Sequence, residues 1–309
     1  ERKDRLFLFW YRYMKKIKFK GERTRSTLII TAALIAFLIS ICTDFRPGYT
    51  LMVAAVSPMA TFELLRACGA KSKLLFTLSC VVSAFSAFYV SYDIPIKPVS
   101  VFVSFYALTL LFLAVIFNKE IKYVDSVAAL FASVAIPYSF TCFIRLNDIA
   151  KLSPEKLSHH EGVFLVMLAF SCSWVTDAFA FLVGRKIGKH KMTPNISPKK
   201  SFEGAVFGTL ITAAVNVLLL FLFSFGTGKL GYHAFFGESA MKYLYIIPIS
   251  CVLSVVSMFG DLAASVLKRN VGIKDYSNLL PGHGGIMDRF DSTLFVLPVL
   301  YGIYVLIYA

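Results

Sequence analysis

Residues 260–291 place carboxylates, cations and glycines between two strongly apolar runs, a mixture that lipid packing alone does not need. Asp261 lies inside the first run, and an ionisable side chain within a membrane helix usually marks a functional site. Ser265, Lys268 and Arg269 follow at helical offsets of four, seven and eight, so they are expected to share its helix face. One of these two cations is expected only to reach the membrane edge. We therefore predict that this segment forms the active site.

A glycine-rich loop follows this helix face. The letters LPGHGG occupy residues 280–285, and glycines let backbone N–H groups approach a phosphate closely. An ordinary reverse turn would explain the same glycines, so the loop alone is weak evidence for a site. The loop residues predicted to bind substrate are Lys274, Asp275, Gly284 and Gly285, and His283 is predicted to be catalytic.

Asp288, Arg289 and Asp291 close the loop directly before the last apolar run. Acids spaced in this way are common at helix N-termini, because a carboxylate favours the positive end of the helix dipole. If the loop folds back onto the preceding helix, Asp261 and Asp288 would offer hard oxygen ligands to Mg²⁺, which proteins bind mainly through nucleotide phosphates. We predict that these two aspartates hold the metal ion.

A second polar stretch covers residues 177–204. Asp177 lies about two turns inside an apolar run, and Arg185, eight positions later, falls on nearly the same helix face. Lys199 and Lys200 come just before a helix start, and lysines at a helix N-terminus form an anion site. A cytoplasmic loop with an ordinary helix cap would carry the same charges. The candidate substrate-binding residues of this stretch are Asp177, Arg185, Ser197, Lys199, Lys200 and Glu203.

Two other patterns concern how the helices pair and pack. Glu63 lies near the end of the second apolar run, where it can pair with Arg66 or line a substrate cavity, and the sequence leaves both roles open. Small residues four positions apart favour close helix packing. This spacing occurs at Gly184 and Gly188 and again at Gly204 and Gly208.

The chain that must position these groups is strongly apolar. Of its 309 residues 57% are hydrophobic and only 16% are charged, and its mean hydropathy is +0.70. A soluble domain of this size could not bury so much apolar surface, so we predict an all-α polytopic membrane protein with about nine transmembrane helices. The apolar runs cover residues 27–43, 47–65, 74–91, 99–117, 123–143, 162–183, 202–225, 243–266 and 292–308.

The distribution of cations predicts the orientation of these helices. With the N-terminus in the cytoplasm and the C-terminus outside, 25 of the 32 Lys and Arg residues fall in cytoplasmic segments and 7 fall in outer loops. This asymmetry accounts for the formal net charge of +14 without a nucleic-acid partner. It also predicts that both polar stretches, and hence the active site, face the cytoplasm.

We divide the chain into three parts. Residues 1–26 mix cations with aromatic side chains, which is typical of a segment in the headgroup layer, although a solvated basic tail would have the same composition. Residues 27–160 hold the first five helices, and residues 161–309 hold the catalytic helices with their cytoplasmic loops. The six cysteines are scattered singly, so they indicate neither a disulfide framework nor a zinc site.

The polar residues of the second half resemble the motifs of a known family. Within residues 265–291, the letters SVLKR, KD and LPGHGGIMDRFD resemble the C-terminal motif of the phosphatidate cytidylyltransferases, also called CDP-diacylglycerol synthases. Within residues 177–204, Asp177 and the letters GRKIGK and SPKKSFEG are similar to a second region of that family. Ser201 and Phe202 depart from the Thr-Trp or Thr-Ile of many members, but a hydroxyl group is kept.

The resemblance implies an enzyme that transfers a cytidylyl group from CTP to phosphatidic acid and releases pyrophosphate. It implies Mg²⁺ at Asp261 and Asp288, with a place for K⁺ beside it, and a homodimer in the lipid bilayer. Asp275 and Asp291 are expected to orient cations, and the loop at His283 is expected to donate backbone N–H groups. The cations expected to clamp phosphates are Lys199, Lys200, Lys268, Arg269, Lys274 and Arg289.

Two other functions fit a polar site in a helical membrane protein. A CTP-dependent kinase of polyprenol or phytol-type lipids would use the same cations, but it would release CDP instead of pyrophosphate. A non-enzymatic lipid transporter would use Asp177 and Asp261 to line a path through the membrane.

Overall fold

The computed structural model describes residues 24, 27–94, 99–152, 158–228, 241–279 and 284–308. His283 and, apart from residue 24, the predicted N-terminal part of residues 1–26 lie outside this range. The described part consists mainly of helices. They are α1 (Thr27–Cys42), α2 (Arg46–Ala67), α3 (Lys73–Ser91), α4 (Val99–Ile116), α5 (Tyr123–Asn147), α6 (His159–Phe170), α7 (Thr176–Ile187), α8 (Phe202–Gly228), α9 (Met241–Asn270), α10 (Met287–Phe290) and α11 (Thr293–Tyr308).

The prediction of an all-α polytopic membrane protein is confirmed. Each predicted apolar run forms a helix, and α6 and α7 together form the continuous apolar helix His159–Ile187. Seven helices of the described part are long and apolar enough to cross a membrane, whereas α1 and α11 are shorter. The number of helices that cross the bilayer and the side on which each terminus lies stay predictions.

Helix burial separates a central group from a peripheral one. In the most apolar window of α5, 61% of the residues are buried, against 11% in α4. The central group also contains α2, and three aromatic rings fill the space where α1, α5 and α6 meet. Phe143 stacks on Phe170 with ring centroids 5.0 Å apart, and Phe37 meets Phe143 edge to face at 5.3 Å. These contacts place a rigid aromatic wall next to the end of α6.

A π-helical turn, Ser171–Val175, joins α6 to α7 and sets the direction of Asp177. Such turns insert one extra residue into a helix and are frequent at functional sites. Directly after it, Thr176 hydrogen bonds to Thr212 on α8 at 3.0 Å and to Ser254 on α9 at 2.9 Å. Because these hydroxyls are buried, they fix α7 against both neighbours and hold Asp177 close to the polar part of α9.

A short β-hairpin separates α7 from α8, where we predicted a loop. Strand β1 (Lys191–Thr193) pairs antiparallel with β2 (Ser197–Ser201). Pairing between the two strands satisfies backbone N–H and C=O groups that lie outside the hydrogen-bonded helices. At the end of β2, Ser201 Oγ accepts a hydrogen bond from the Gly204 backbone N–H at 3.2 Å and caps α8. The cap fixes β2 at the start of a membrane helix.

The predicted close packing around the glycine pairs is confirmed. A Cβ atom on Gly204 would lie 3.0 Å from the Gly184 Cα and would collide with the Ala180 carbonyl oxygen. A Cβ atom on Gly208 would lie 3.0 Å from the Ala180 Cβ. The backbones of α7 and α8 therefore touch directly, which small residues alone allow.

The substitution Gly204→Ala should destabilise the protein. The new methyl group would overlap the α7 backbone, and overpacking of this kind costs about 1–3 kcal/mol. The control is Gly302→Ala on α11, where a Cβ would meet nothing within 4 Å and helix propensity should give a gain of about 0.5–1 kcal/mol. The measurement is the melting temperature in detergent. Equal melting of the two variants would contradict direct backbone contact.

Candidate active site

Asp261 on α9 lies between a cation and a hydroxyl group. Its Oδ2 is 2.6 Å from Lys200 Nζ, and its Oδ1 accepts a 3.5 Å hydrogen bond from Ser265 Oγ. Lys200 Nζ makes no hydrogen bond to the described residues, so this contact is an ion pair. The Asp261 side chain is 26% exposed and remains accessible to a ligand. Lys200 belongs to β2, in the polar stretch of residues 177–204, and Asp261 belongs to the polar stretch of residues 260–291. The two stretches therefore meet at this ion pair.

Asp288 fastens the C-terminal loop to α9. Its Oδ1 accepts a 2.8 Å hydrogen bond from Lys268 Nζ, and its Oδ2 accepts from the backbone N–H groups of Tyr276 at 2.8 Å and Gly285 at 3.0 Å. The side chain is only 4% exposed. Both oxygens are therefore engaged within the chain, and a metal ion would have to bind at Oδ1 beside the Lys268 ammonium group or displace one of these donors. The pairing of Asp261 with Asp288 around a metal stays a prediction.

Asp177 lines the same cavity as Asp261, and a Cβ on Gly260, the neighbour of Asp261, would lie 2.9 Å from the Asp291 carbonyl oxygen. We call Asp177, Asp261 and Asp291 the acid cluster. Asp177 Oδ2 accepts a 2.8 Å hydrogen bond from Ser292 Oγ, and Asp291 Oδ2 lies 4.0 Å from Lys268 Nζ. Burial raises the pKa of Asp291 to about 7, and the charges of Asp261 and Asp177 act in the same direction, against Lys268. A cation bound within the acid cluster would relieve this repulsion.

The acid cluster fits a Mg²⁺ ion that takes most of its ligands from phosphate and water. Among the described residues, no three acid, His or Cys side chains are close enough to hold a metal ion by themselves. Mg²⁺ commonly needs only one or two protein carboxylates when a substrate supplies phosphate oxygens. Asp261 is partly exposed and suits this mode. Asp291, which the sequence assigned to orienting cations, is the carboxylate that the structure adds beside it.

Glu63 anchors the glycine loop to α2, a role that neither of its predicted alternatives included. Its carboxylate accepts hydrogen bonds from the backbone N–H groups of Ile286 at 3.0 Å and Met287 at 2.8 Å, and from Ser277 Oγ at 2.5 Å. The residue is 3% exposed, and a Cβ atom on Gly285 would collide with the carboxylate. Glu63 therefore needs glycine at position 285. A buried acid in an apolar run was the sequence signal for this contact.

Gly284 contributes a turn to the same loop. Its φ of +81° is a left-handed conformation that glycine adopts without strain, and a Cβ there would lie 2.9 Å from Asp288 Oδ2. The predicted glycine turn thus lets backbone N–H groups of the loop donate hydrogen bonds to the carboxylates of Glu63 and Asp288. Its predicted contact with substrate stays a prediction.

A small cavity beside the hairpin brings the predicted lysines to the acid cluster. It has a volume of about 200 Å³, and we call it the basic cavity. Glu203 lies outside its lining, because its carboxylate accepts a 3.1 Å hydrogen bond from the His190 backbone N–H and lies 2.6 Å from His190 Nδ1. Glu203 therefore fastens the hairpin to α8. The polar residues that line the basic cavity are Asp177, Ser197, Lys199, Lys200, Ser201 and Asp261.

Four predicted site residues are exposed and line neither this cavity nor the larger one described next. They are Arg185, Arg269, Lys274 and Asp275. The Arg269 guanidinium donates a 3.1 Å hydrogen bond to the Ile273 carbonyl oxygen, whereas Lys268 is buried. Of the two cations on this helix face, Arg269 is therefore the one that reaches outward.

A larger cavity of about 520 Å³ lies on the other side of Asp177, and we call it the apolar cavity. Apolar side chains of α1, α2, α5 and the π-helical turn form most of its lining. Its polar lining consists of Asp177, Asp288, Arg289 and Asp291. Asp177 lines both cavities, so an apolar chamber and a basic chamber meet at the acid cluster.

Replacing Glu63 with glutamine should loosen the loop. The amide would present N–H groups to backbone donors, and leaving buried donors unsatisfied costs about 1–3 kcal/mol. We expect a lower melting temperature and a lower turnover for Glu63→Gln. The matched control is Glu120→Gln, at an exposed glutamate, which should behave as wild type. Unchanged melting and turnover of Glu63→Gln would show that the loop does not depend on this carboxylate.

The sequence is similar to known proteins across most of its length. A family model described as the cytidylyltransferase family matches residues 22–307. A phosphatidate cytidylyltransferase of Bacillus subtilis (strain 168) is 32% identical over 277 residues, which cover 87% of this chain and 93% of that relative. A phosphatidate cytidylyltransferase of Staphylococcus haemolyticus is 38% identical over 140 residues, which cover 48% of the length of that relative. The chain belongs to the cytidylyltransferase family.

Proposed function

We propose that this protein transfers a cytidylyl group from CTP to phosphatidic acid, forming CDP-diacylglycerol and pyrophosphate. The observation that carries this proposal is the meeting of the apolar and basic cavities at Asp177. A lipid chain suits the first chamber, a triphosphate suits the lysines of the second, and the acid cluster lies between them. The two relatives described above are phosphatidate cytidylyltransferases, which supports the same substrates.

The reaction needs orientation and charge neutralisation more than it needs a base. The second pKa of a phosphomonoester is about 6, so the attacking phosphatidate oxygen is already anionic at neutral pH. This oxygen forms a bond to the α-phosphorus of CTP while the bond from that phosphorus to the pyrophosphate oxygen breaks. Lys199 and Lys200 in the basic cavity would hold the triphosphate in line and offset the charge of the leaving group.

The other polar residues of the site would order these groups. Lys268 is shared between Asp288 and Asp291, so it fixes both carboxylates relative to α9. Arg289 lines the inner part of the apolar cavity and would face the phosphate of the lipid. The loop held by Glu63 would keep Arg289 in place and limit the entry of water.

We also propose that Mg²⁺ binds at Asp261. Asp291 is the second carboxylate that the geometry favours, and Asp288 is the one that the sequence resemblance favours. When bound, the ion supplies charge neutralisation on the triphosphate and on the departing pyrophosphate. A K⁺ ion near this position is part of the same proposal by resemblance.

The site is proposed to face the cytoplasm, where CTP and Mg²⁺ are available. The excess of Lys and Arg on the loops that carry β1, β2 and the glycine turn supports this orientation. Assembly into a homodimer within the bilayer is proposed by resemblance. The exposed apolar surface of α4 is large enough to face lipid or a second copy.

Tracing label from CTP should identify the reaction. With purified protein in detergent, phosphatidic acid and Mg²⁺, label on the α-phosphate of CTP should appear in the lipid product, and label on the γ-phosphate should appear in pyrophosphate. A lipid kinase would instead place the γ-label in the lipid, with a polyprenol or phytol as acceptor. A transporter would place neither label in lipid, and that result with folded protein would overturn the proposal.

The dependence of turnover on Mg²⁺ should distinguish the roles of Asp261, Asp288 and Asp291. Asp261→Asn should lower turnover by more than about tenfold, or 1.4 kcal/mol, and raise the half-saturating Mg²⁺ concentration without lowering the melting temperature. Asp291→Asn should raise the same concentration. Asp288→Asn should lower the melting temperature if it only orders the loop, and should raise the half-saturating Mg²⁺ concentration if it binds the ion.

The control for these variants is again Glu120→Gln, which should leave turnover and Mg²⁺ dependence unchanged. Turnover of Asp261→Asn within about tenfold of wild type would remove Asp261 from the metal site.

A further inference from the structure

Tyr276 lies in the segment that follows α9, and its ring packs back against that helix. Shortly after α9 ends, Gly272 has a φ of +72°, and the backbone N–H of Ile273 donates a 2.9 Å hydrogen bond to the Lys268 carbonyl oxygen. Such a turn is a common way to end a helix, and glycine adopts its left-handed conformation without strain. The turn reverses the chain, so Tyr276 comes to lie beside α9, where it is buried.

Hydrogen bonds fix Tyr276 beside the ammonium group of Lys268. The Tyr276 hydroxyl donates a 3.3 Å hydrogen bond to the carbonyl oxygen of Ala264, which lies one helical turn before Lys268. The Tyr276 backbone N–H donates to Asp288 Oδ2 at 2.8 Å. Lys268 Nζ lies over the tyrosine ring, 5.3 Å from its centroid. A cation within about 6 Å of a ring centroid is attracted by the negative face of the ring, so the fixed ring also holds the cation.

The carboxylates around Lys268 hold its ammonium group unequally. Lys268 Nζ donates to Asp288 Oδ1 at 2.8 Å, whereas Asp291 Oδ2, at 4.0 Å, is beyond hydrogen-bonding distance. The Lys268 side chain is only 11% exposed, so water has little access to it. An aromatic face attracts a cation but is a weak hydrogen-bond acceptor. The ring can therefore hold the ammonium group and leave N–H donors for Asp291 or a bound phosphate.

We propose that Tyr276 is a positioning residue, whose ring holds the Lys268 ammonium group between Asp288 and Asp291. This inference rests on the proposed function, in which Lys268 orders these two carboxylates. Tyr276 lines neither the apolar nor the basic cavity, so it acts through Lys268 and not by touching a substrate. Without the attraction of the ring, the ammonium group would move towards Asp288, and Asp291 in the acid cluster would lose its nearby cation.

Fluorination of the ring should test this role. Fluorine weakens the attraction of a ring face for a cation, while the shape of the ring changes little. We expect a trifluorinated phenylalanine at position 276 to lower kcat by at least about fivefold relative to Tyr276→Phe, with KM for CTP within about twofold. The KM should hold because the proposed triphosphate contacts are Lys199 and Lys200. A ring that only fills space would give equal kcat for both variants, and that result would overturn the proposal.

The matched control is the same pair of substitutions at Tyr106 on α4. This tyrosine is also buried, and its hydroxyl group lies 3.2 Å from Ser79 Oγ and 2.8 Å from Ser133 Oγ. Fluorination at position 106 should leave kcat equal to that of Tyr106→Phe. An equal loss at positions 106 and 276 would assign the effect to the fluorine atoms themselves and would contradict a specific contact with Lys268.

The melting temperature in detergent gives a readout that needs no turnover. Relative to Tyr276→Phe, the fluorinated ring should lower the melting temperature, because it holds the buried cation less strongly. In a Lys268→Gln background the side-chain amide can still donate to Asp288, but the positive charge is gone. Fluorination should then no longer lower the melting temperature, which measures the coupling of the two side chains. An equal decrease in both backgrounds would show that the ring does not hold Lys268.

The two readouts separate failure of this inference from failure of the proposed function. Coupling in the melting temperature, without cytidylyl transfer by the wild-type protein, would overturn the proposed function and support the contact between Tyr276 and Lys268. Transfer by the wild-type protein, with a kcat that fluorination leaves unchanged, would overturn the positioning role alone. If Lys268→Gln does not fold, the comparison of kcat at positions 276 and 106 decides the question.

Discussion

Two buried carboxylates hold the C-terminal loop in place, and the arrangement of the site depends on them. Glu63 accepts backbone N–H groups of the loop from the side of α2, and Asp288 ties the loop to Lys268 on α9. Hydrogen bonds to ionised groups are strong, and a buried charge without partners is costly, so these contacts favour one loop position. That position sets Asp291 beside Asp261 and closes the inner end of the apolar cavity.

The site solves a problem of access. A lipid headgroup and a nucleotide come from different phases, and both are anionic, so they must meet where cations offset their charges. In this structure the apolar cavity and the basic cavity share Asp177, while Asp291 lines the apolar cavity and Asp261 lines the basic cavity. The catalytic contribution of such a site is positioning and electrostatic stabilisation, which is also what phosphoryl-type transfer chiefly requires.

Local sequence patterns predicted the helices well and the contacts between distant segments poorly. The apolar runs predict helices because an open chain segment in lipid can satisfy its backbone hydrogen bonds only as a helix. The glycine spacing predicts the contact of α7 with α8. The partners of Glu63 are more than 200 positions away in sequence, so only the fold could supply them. The same holds for Lys200 with Asp261. Arg269 and Lys268 are adjacent, and helix rotation alone decides which one points inward.

The position of a bound ion and nucleotide would test most directly whether Asp261 and the basic cavity form the reaction site. A structure with Mn²⁺ and a non-hydrolysable CTP analogue would locate the ion by its anomalous scattering. We expect an anomalous peak in contact with Asp261 and the triphosphate, with the phosphates beside Lys199 and Lys200. A peak away from Asp261, or a triphosphate bound outside the basic cavity, would contradict it.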